Sequence, residues 1–494
     1  MKYSKYQEAI FDFIASKDSN LVVDAKAGSG KTTTTVAGLS HINPNKKVAF
    51  VAFNREIAQI LQAKAPDYVQ CSTIHSLNFR NLRNSVRGKV EVNRWKVGDI
   101  IDTFIKPPER YAKYEEKERH RTLKNQLRSA ISMIKNTLTD YNDPKAVINT
   151  LDEYGVDIDP TLESRILGLI PRIMDKGLEI DYEVDFDDMI YMPLVLNMPL
   201  EQFDFLAVDE AQDLNPAQIE FVLRSINGTG RIMAVGDPQQ SIYHWRGADA
   251  FAIPKIITAT KSEVLPLSIC YRCGKDIITL AQTIVPEIEA WEQSPPGLVK
   301  DIKEYELISM LKDQDMILCR TNAPLISLAF SLLSKGMKAV VRGRDIGKRL
   351  AEKARKATKG AMDLHDVSAR LYLMRRKELE KAELIRRDRA RKNKISRIKD
   401  EYNCLFAILQ GISPLSTPDR FISACEEIFS DDTHSGIILS SVHRAKGLEA
   451  ERVFILKPEL MPHPLANSEQ ELQQEMNIKY VAITRAKKEL YIVR

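Results

Sequence analysis

The chain has 494 residues, with 72 Lys and Arg against 67 Asp and Glu and a formal net charge of +5. Roughly three to four domains fit that length, and so mild a charge excludes a histone-like protein or an acidic tail while leaving DNA-binding and ordinary cytosolic enzymes open. With 44% hydrophobic and 28% charged residues, the composition is that of a globular chain with large cores, not of a disordered one.

From the N-terminus, Met1-Lys2-Tyr3-Ser4-Lys5-Tyr6-Gln7-Glu8 lacks the apolar core of a secretion signal. The best apolar run, 190–200, is broken by Pro193, Asn197 and Pro199 and is too short for a bilayer. A cytoplasmic protein without a membrane partner is expected. Six cysteines in such a length are no disulfide framework. Cys270-x-x-Cys273 is a lone pair, read as free thiols in a reducing compartment, with zinc as the lesser alternative.

Short β-rich runs alternate with helical stretches. Runs at 21–24, 47–53, 205–209 and 231–236 read as buried parallel strands, and those at 316–320, 337–341, 436–440, 452–456 and 490–493 repeat the theme. Two groups of strands imply two α/β sheets. Each group is split by a helical, basic stretch, at 86–181 and again at 346–431. In the second, Arg375-Arg376-Lys377, Arg386-Arg387, Arg389, Arg391-Lys392, Lys394, Arg397 and Lys399 crowd together in a composition suited to a long helix. Such a face is either merely solvated or meets phosphates.

The first strand runs into Ala25-Lys26-Ala27-Gly28-Ser29-Gly30-Lys31-Thr32, with a helix expected next. This is the strand–loop–helix setting of a P-loop. Gly28 and Gly30 let backbone N–H groups approach phosphate, and the helix N-terminus adds its dipole. Lys31 supplies a charge to the β- and γ-phosphates of ATP, and Thr32 a hydroxyl to Mg²⁺. Ala27, Ser29 and Thr33 complete the expected nucleotide-binding set. Ala25 stands where the strict pattern has Gly, but the last four positions carry the chemistry. Further on, Phe205-Leu206-Ala207-Val208 ends in Asp209-Glu210. An apolar strand ending in two carboxylates puts both at the sheet edge beside the P-loop. Asp209 is placed to hold the metal, and Glu210 to orient and deprotonate water.

After the next strand comes Gly236-Asp237-Pro238-Gln239-Gln240-Ser241-Ile242-Tyr243-His244-Trp245-Arg246-Gly247-Ala248. With Asp209-Glu210-Ala211-Gln212-Asp213 before it, this run resembles superfamily 1 helicases of the UvrD/Rep type. The resemblance continues in order through Ala52-Phe53-Asn54, Thr73-Ile74-His75-Ser76, Tyr271-Arg272, Ser441-Val442-His443-Arg444-Ala445-Lys446-Gly447-Leu448-Glu449, Glu475 and Tyr480-Val481-Ala482-Ile483-Thr484-Arg485-Ala486. It spans residues 7 to 493, although the two insertions show little of it.

The resemblance implies roles for individual residues. Gln7 would read the adenine, Tyr271 stack on it and Glu449 contact the ribose. Gln240 would sense the γ-phosphate, and Arg272 and Arg485 act as arginine fingers. Asn54, His75, Tyr243, Trp245, Arg246 and His443 would lie on a single-strand DNA track, where stacking on Tyr243 and Trp245 tolerates any base. Thr33 departs from the Arg the family usually has there, which weakens strict adenine selectivity. Phe53 is shifted from the family's Phe-Thr-Asn order.

The resemblance therefore implies two tandem RecA-like P-loop NTPase domains of the α/β class, each with a helical insertion. Residues 1–85 and 182–262 would form the first motor domain, interrupted by 86–181; residues 263–345 and 432–494 would form the second, interrupted by a basic insertion at 346–431. Asp185-Phe186-Asp187-Asp188 resembles the family segment at the return into the first domain. The implied activity is ATP-driven translocation on single-stranded DNA with strand separation, 3′→5′, at single- and double-strand junctions. A second reading is a DNA-stimulated ATPase that senses ends or single strands for a partner nuclease or repair or replication protein, in repair or anti-phage defence. A third, translocation on RNA, stays open because phosphate tracks tolerate both sugars.

Overall fold

The computed structural model describes residues 3–52, 54–86, 88–243, 247–249, 251–385, 388–430 and 436–494. The chain divides into two compact units. The first comprises Met1–Lys26, Gly30–Ser268 and Arg387–Ala390; the second comprises Ala27–Ser29, Ile269–Arg386 and Arg391–Arg494.

The first unit is built on strands β1 (Leu21–Ala25), β2 (Val48–Ala52), β3 (Val69–Thr73), β6 (Phe203–Val208), β7 (Ile226–Gly236) and β8 (Glu263–Leu267), with a separate short pair, β4 (Glu91–Val92) and β5 (Glu183–Val184). The six long strands form one sheet in the order β3-β2-β6-β7-β1-β8, every pair parallel. Its central strands are apolar on both faces because both are covered. Leu21, Val23 and Ala25 pack with Phe50 on one side, while Val22 packs with Val51 and Leu206 on the other. The adjacent strands β6, β7 and β1 end in Asp209, Asp237 and the P-loop respectively, so topology alone carries these groups to one edge of the sheet.

The insertion of this unit holds the helices Lys96–Phe104, Tyr114–Thr137, Pro144–Glu153 and Glu163–Glu179. They enclose a core of their own around Ile101, Leu127, Ile131, Ile134, Ile166 and Ile170. Parallel pairing of β4 with β5 closes its base. Beside it lies a buried ion cluster. Asp188 meets Lys96 at 2.9 Å and Lys135 at 2.7 Å, and Lys135 also meets Asp185 at 3.0 Å. Burial opposes the Lys135 ammonium, but the carboxylates of Asp188, Asp185 and Asp187 outweigh it and raise its pKa.

The second unit holds a short pair, β9 (Ile269–Cys270) and β10 (Glu289–Ala290), and a second parallel six-stranded sheet. Its strands are β11 (Leu298–Ile302), β12 (Met316–Cys319), β13 (Ala339–Val341), β14 (Ile437–Ser441), β15 (Ala450–Leu456) and β16 (Ala486–Val493), in the order β11-β16-β15-β12-β14-β13. The basic stretch forms two helices, Leu364–Glu383 and Asp388–Gly411, not one long one. Part of its charge is spent internally. Glu378 takes Lys353 at 2.6 Å and the Tyr402 hydroxyl at 2.7 Å. Arg386 and Arg387 lie outside the described residues.

The structure places one boundary differently. Residues 263–267 belong with the first sheet, because β8 pairs with β1 from Leu21↔Glu263 to Ala25↔Leu267. The first unit therefore runs to Ser268, past the boundary expected after 262. Among the described residues no helix is long and apolar enough to cross a membrane.

Candidate nucleotide and DNA sites

The P-loop follows β1. Gly28 and Gly30 have φ of +67° and +80°, a region glycine enters freely, and a Cβ on Gly30 would meet nothing within 4 Å. The helix Lys31–Leu39 begins at Gly30 without a side-chain cap, so its first N–H groups stay available for an anion. The buried Ser29 Oγ has no hydrogen-bond partner among the described residues. Lys26, fully buried, is a brace: its ammonium lies 2.9 Å from Asp24 and 3.1 Å from Gln239 Oε1. Gln7 donates to Thr34 Oγ1 at 2.9 Å, beside the same helix, while its Oε1 accepts from the Ser4 N–H. Thr33 is exposed.

At the end of β6, Asp209 accepts from Thr32 Oγ1 at 3.3 Å and from the Glu210 N–H at 2.9 Å. Burial pushes its carboxyl up to about 7, the Glu210 charge adds to this, and Lys31 opposes it. Glu210 itself sits at φ +50°, ψ +41°, a left-handed conformation uncommon for a side-chain-bearing residue. The turn leaves its carboxylate where Gln212 Nε2 donates to it at 2.5 Å. The other end of that amide, Gln212 Oε1, accepts from the Asp237 N–H at 3.0 Å. Asp237 is fully buried and accepts from Gln240 Nε2 at 2.7 Å and from the Gln239 N–H at 3.1 Å. Burial raises its pKa against the pull of Lys31 and Lys26. A continuous chain of bonds thus runs from Glu210 through Gln212 and Asp237 to Gln240. The orphaned Ser29 hydroxyl, the uncapped helix and the Thr32–Asp209 pair fit a nucleoside triphosphate with a divalent cation.

Of the expected DNA residues in this unit, Asn54 caps the helix Arg55–Gln62, its Oδ1 accepting from the Ile57 N–H at 2.8 Å. His75 is half-buried in the first turn of Ile74–Ser85, and burial lowers its pKa toward the neutral form. Its ring meets Phe186 edge-on, with centroids 6.4 Å apart. Phe186 is 57% exposed. Tyr243 is half-buried. Phe53, Trp245 and Arg246 lie outside the described residues.

In the second unit, Tyr271 is on the surface with its ring 5.6 Å from that of Trp291. Arg272 pairs with Glu449 at 2.5 Å and donates to the Thr484 carbonyl at 3.3 Å. Glu449 also takes Lys487 at 2.7 Å. Burial alone would raise the Glu449 pKa, but Lys487 and Arg272 outweigh it and hold it below the usual value. Arg485 is buried, with Nε bonded to the Val481 carbonyl at 3.0 Å and Nη1 to the Leu448 carbonyl at 3.2 Å. Glu475 receives Arg320 at 2.7 Å in a forked contact. His443 is half-buried on the short helix Val442–Ala445. Cys270 and Cys273 are buried free thiols. The bond from Cys273 pulls Cys270 down to about 7, and the same bond with burial pushes Cys273 well above the usual thiol value.

Residues 6–261 match the model of the UvrD/REP helicase N-terminal domain. The chain belongs to the UvrD/Rep helicase family. Residues 436–493 match the UvrD-like helicase C-terminal domain. Among similar proteins is F-box DNA helicase protein 1 of Schizosaccharomyces pombe, 25% identical over 510 aligned positions that cover 96% of this chain and 55% of the relative. The chain thus spans about half the length of that protein. The ATP-dependent DNA helicase PcrA of Staphylococcus epidermidis is 25% identical over 615 positions, covering 97% of this chain and 82% of PcrA. PcrA of Staphylococcus aureus is 24% identical over 617 positions with the same coverage. The chain is a helicase-family enzyme with tandem RecA-like α/β domains.

Sequence reasoning did not single out Gln212, Asp237, Phe186, Trp291 or Arg320. Gln212, Asp237 and Phe186 stand inside the quoted motifs, so position was a signal available for them. Trp291 and Arg320 carry no local signal, and only folding brings them to Tyr271 and Glu475.

Proposed function

We propose that this protein is an ATP-driven translocase and helicase on single-stranded DNA with 3′→5′ polarity. The observation that carries the reading is the bonded chain Glu210–Gln212–Asp237–Gln240 at the sheet edge that also bears an open P-loop. It holds a carboxylate in place for water activation and ties it to a glutamine suited to sense the γ-phosphate. Lys31, the P-loop N–H groups and the Ser29 hydroxyl bind the phosphates of ATP. Thr32 and Asp209 are the residues that would hold Mg²⁺, whose charge there draws electron density from the phosphate oxygens. The family resemblance assigns Arg272 and Arg485 to the charge on the transferred phosphoryl group and Tyr271, whose ring lies beside Trp291 within the second unit, to the adenine. Glu449, paired with Arg272, is assigned to the ribose. Asn54, His75, Tyr243, Trp245, Arg246 and His443 are assigned to the DNA track by the family resemblance, and the exposed Phe186 ring against His75 adds a stacking surface in the first unit. The names of the PcrA relatives accord with this reading.

A second reading keeps the ATPase and the DNA track but omits unwinding, leaving a sensor of single strands or ends that serves a partner nuclease or repair protein. The chain covers 82% of PcrA, so these relatives have additional length. Incubation with ATP and 3′-tailed, 5′-tailed and blunt duplexes separates the two. Unwinding confined to the 3′-tailed duplex supports the first reading. DNA-stimulated hydrolysis without unwinding supports the second, and hydrolysis indifferent to DNA contradicts both.

A further inference from the structure

One polar side chain of the helical insertion bonds to two segments of the first unit that the proposed function uses. Asn136 lies in the last turn of the helix Tyr114–Thr137. Its Oδ1 accepts from Asn215 Nδ2 at 2.6 Å. Its Nδ2 donates to Asp187 Oδ1 at 3.0 Å and to the Ser132 carbonyl at 2.8 Å. Asp187 is further fixed by the Ser132 hydroxyl at 2.6 Å.

Each partner sits beside working machinery. Asn215 caps the helix Pro216–Arg224, which follows the Glu210 segment directly, and its own Oδ1 accepts from the Gln218 N–H at 2.8 Å. Asp187 is the neighbour in sequence of Phe186, the exposed ring against His75. Gly247, at φ +91°, lies over this helix end, where an added Cβ would stand 3.5 Å from Met133 Sδ and 3.8 Å from Asn136 Cβ. Gly247 belongs to the segment that bears Tyr243 and Trp245. At Asp249 the backbone N–H donates to the Leu214 carbonyl at 2.9 Å.

A carboxamide used at both ends fixes two partners relative to each other, because displacing either one stretches a bond on the other. We propose that Asn136 is a positioning residue that couples occupancy of the DNA track at Phe186 to the placement of Glu210. It contacts neither nucleotide nor DNA in the proposed assignment. The inference rests on the proposed function, since it needs hydrolysis that responds to DNA.

The test compares wild type, Asn136→Leu, Asn136→Asp and the exchange Asn136→Asp with Asp187→Asn. Leu keeps the volume and removes both bonds. Asp alone opposes two carboxylates, while the exchange restores a donor–acceptor pair between the two positions. ATP turnover is measured without DNA and across a titration of oligo-dT. The expected result for Asn136→Leu and Asn136→Asp is unchanged DNA-free turnover and a maximal stimulated rate lower by about five- to tenfold, the scale of one or two lost hydrogen bonds. Half-stimulating DNA concentration should move less than about twofold, a split between rate and binding that general loosening would not produce. The exchange should recover at least half of the stimulation. Full stimulation in Asn136→Leu, equal loss of basal and stimulated turnover, or no recovery in the exchange overturns the inference. A wild-type protein without stimulation overturns the parent reading and this inference with it.

Discussion

Replacing Asp209 by Asn isolates the electrostatics of the proposed metal site. In the metal-free fold the Asp209 carboxyl is pushed up to about 7, first by burial and then by Glu210. The folded value is thus raised above that of an unfolded carboxyl, ~4. A raised acid favours the fold when protonated, so its stabilisation is complete below the unfolded value and is lost as pH rises through about 7. Asn keeps an acceptor for the Glu210 N–H and has no proton to lose. Between about pH 5.5 and 7, at ~1.4 kcal/mol per pH unit, wild type should lose roughly 2 kcal/mol that Asp209→Asn does not. For a unit of this size that widens the difference in melting temperature by about 4–8 °C. The assay is calorimetric melting in chelator at about pH 5.5 and pH 8, with Asp209→Asn gaining on wild type at the higher pH. A difference that stays constant across that range would show that Asp209 is already ionised without metal, and the burial argument would fail.

Other perturbations test the remaining parts. Gln212→Leu cuts the link between Glu210 and Asp237 without touching the P-loop; nucleotide binding should persist while kcat falls about tenfold or more, and an unchanged kcat would remove Gln212 from the account. Phe186→Ala should weaken oligo-dT binding measured by anisotropy by the value of one stacked base, ~1–3 kcal/mol, with DNA-free turnover retained; equal affinity would show that the exposed ring is idle. Asp188→Asn leaves Lys96 and Lys135 buried without their shared carboxylate, and removing one partner of a buried pair costs ~3–5 kcal/mol. Chemical denaturation should report that loss, and a change under about 1 kcal/mol would mean the cluster is hydrated or reorganises.

How far the sequence could be read depended on where each feature's cause lies. The P-loop, Asp209-Glu210 and the β-rich runs are local patterns, and the structure forms a strand at each of those runs. The long strands that escaped sequence reading are β3, β8 and β11, and all lie at sheet edges. An edge strand is covered less, so its sequence need not be apolar throughout. β8, Glu263-Val264-Leu265-Pro266-Leu267, has only its last residue buried, and its proline is tolerated at an edge. That is why the first unit extends past the boundary placed at 262. Asp237 and Gln212 were visible as letters, but their bond requires the ends of β6 and β7 to lie side by side. Trp291 beside Tyr271 and Asn136 beside Asn215 depend in the same way on packing between segments distant in the chain. The long basic helix expected at 375–399 proved to be two helices.

The central claim is that Glu210, placed by its left-handed turn and by Gln212, activates water for ATP hydrolysis that responds to DNA. The most direct measurement is steady-state ATP turnover of Glu210→Gln with saturating oligo-dT, alongside nucleotide binding by the same protein. The account predicts binding close to wild type and DNA-stimulated turnover lower by at least about a hundredfold, the scale of a lost general base. Turnover near that of wild type would contradict it.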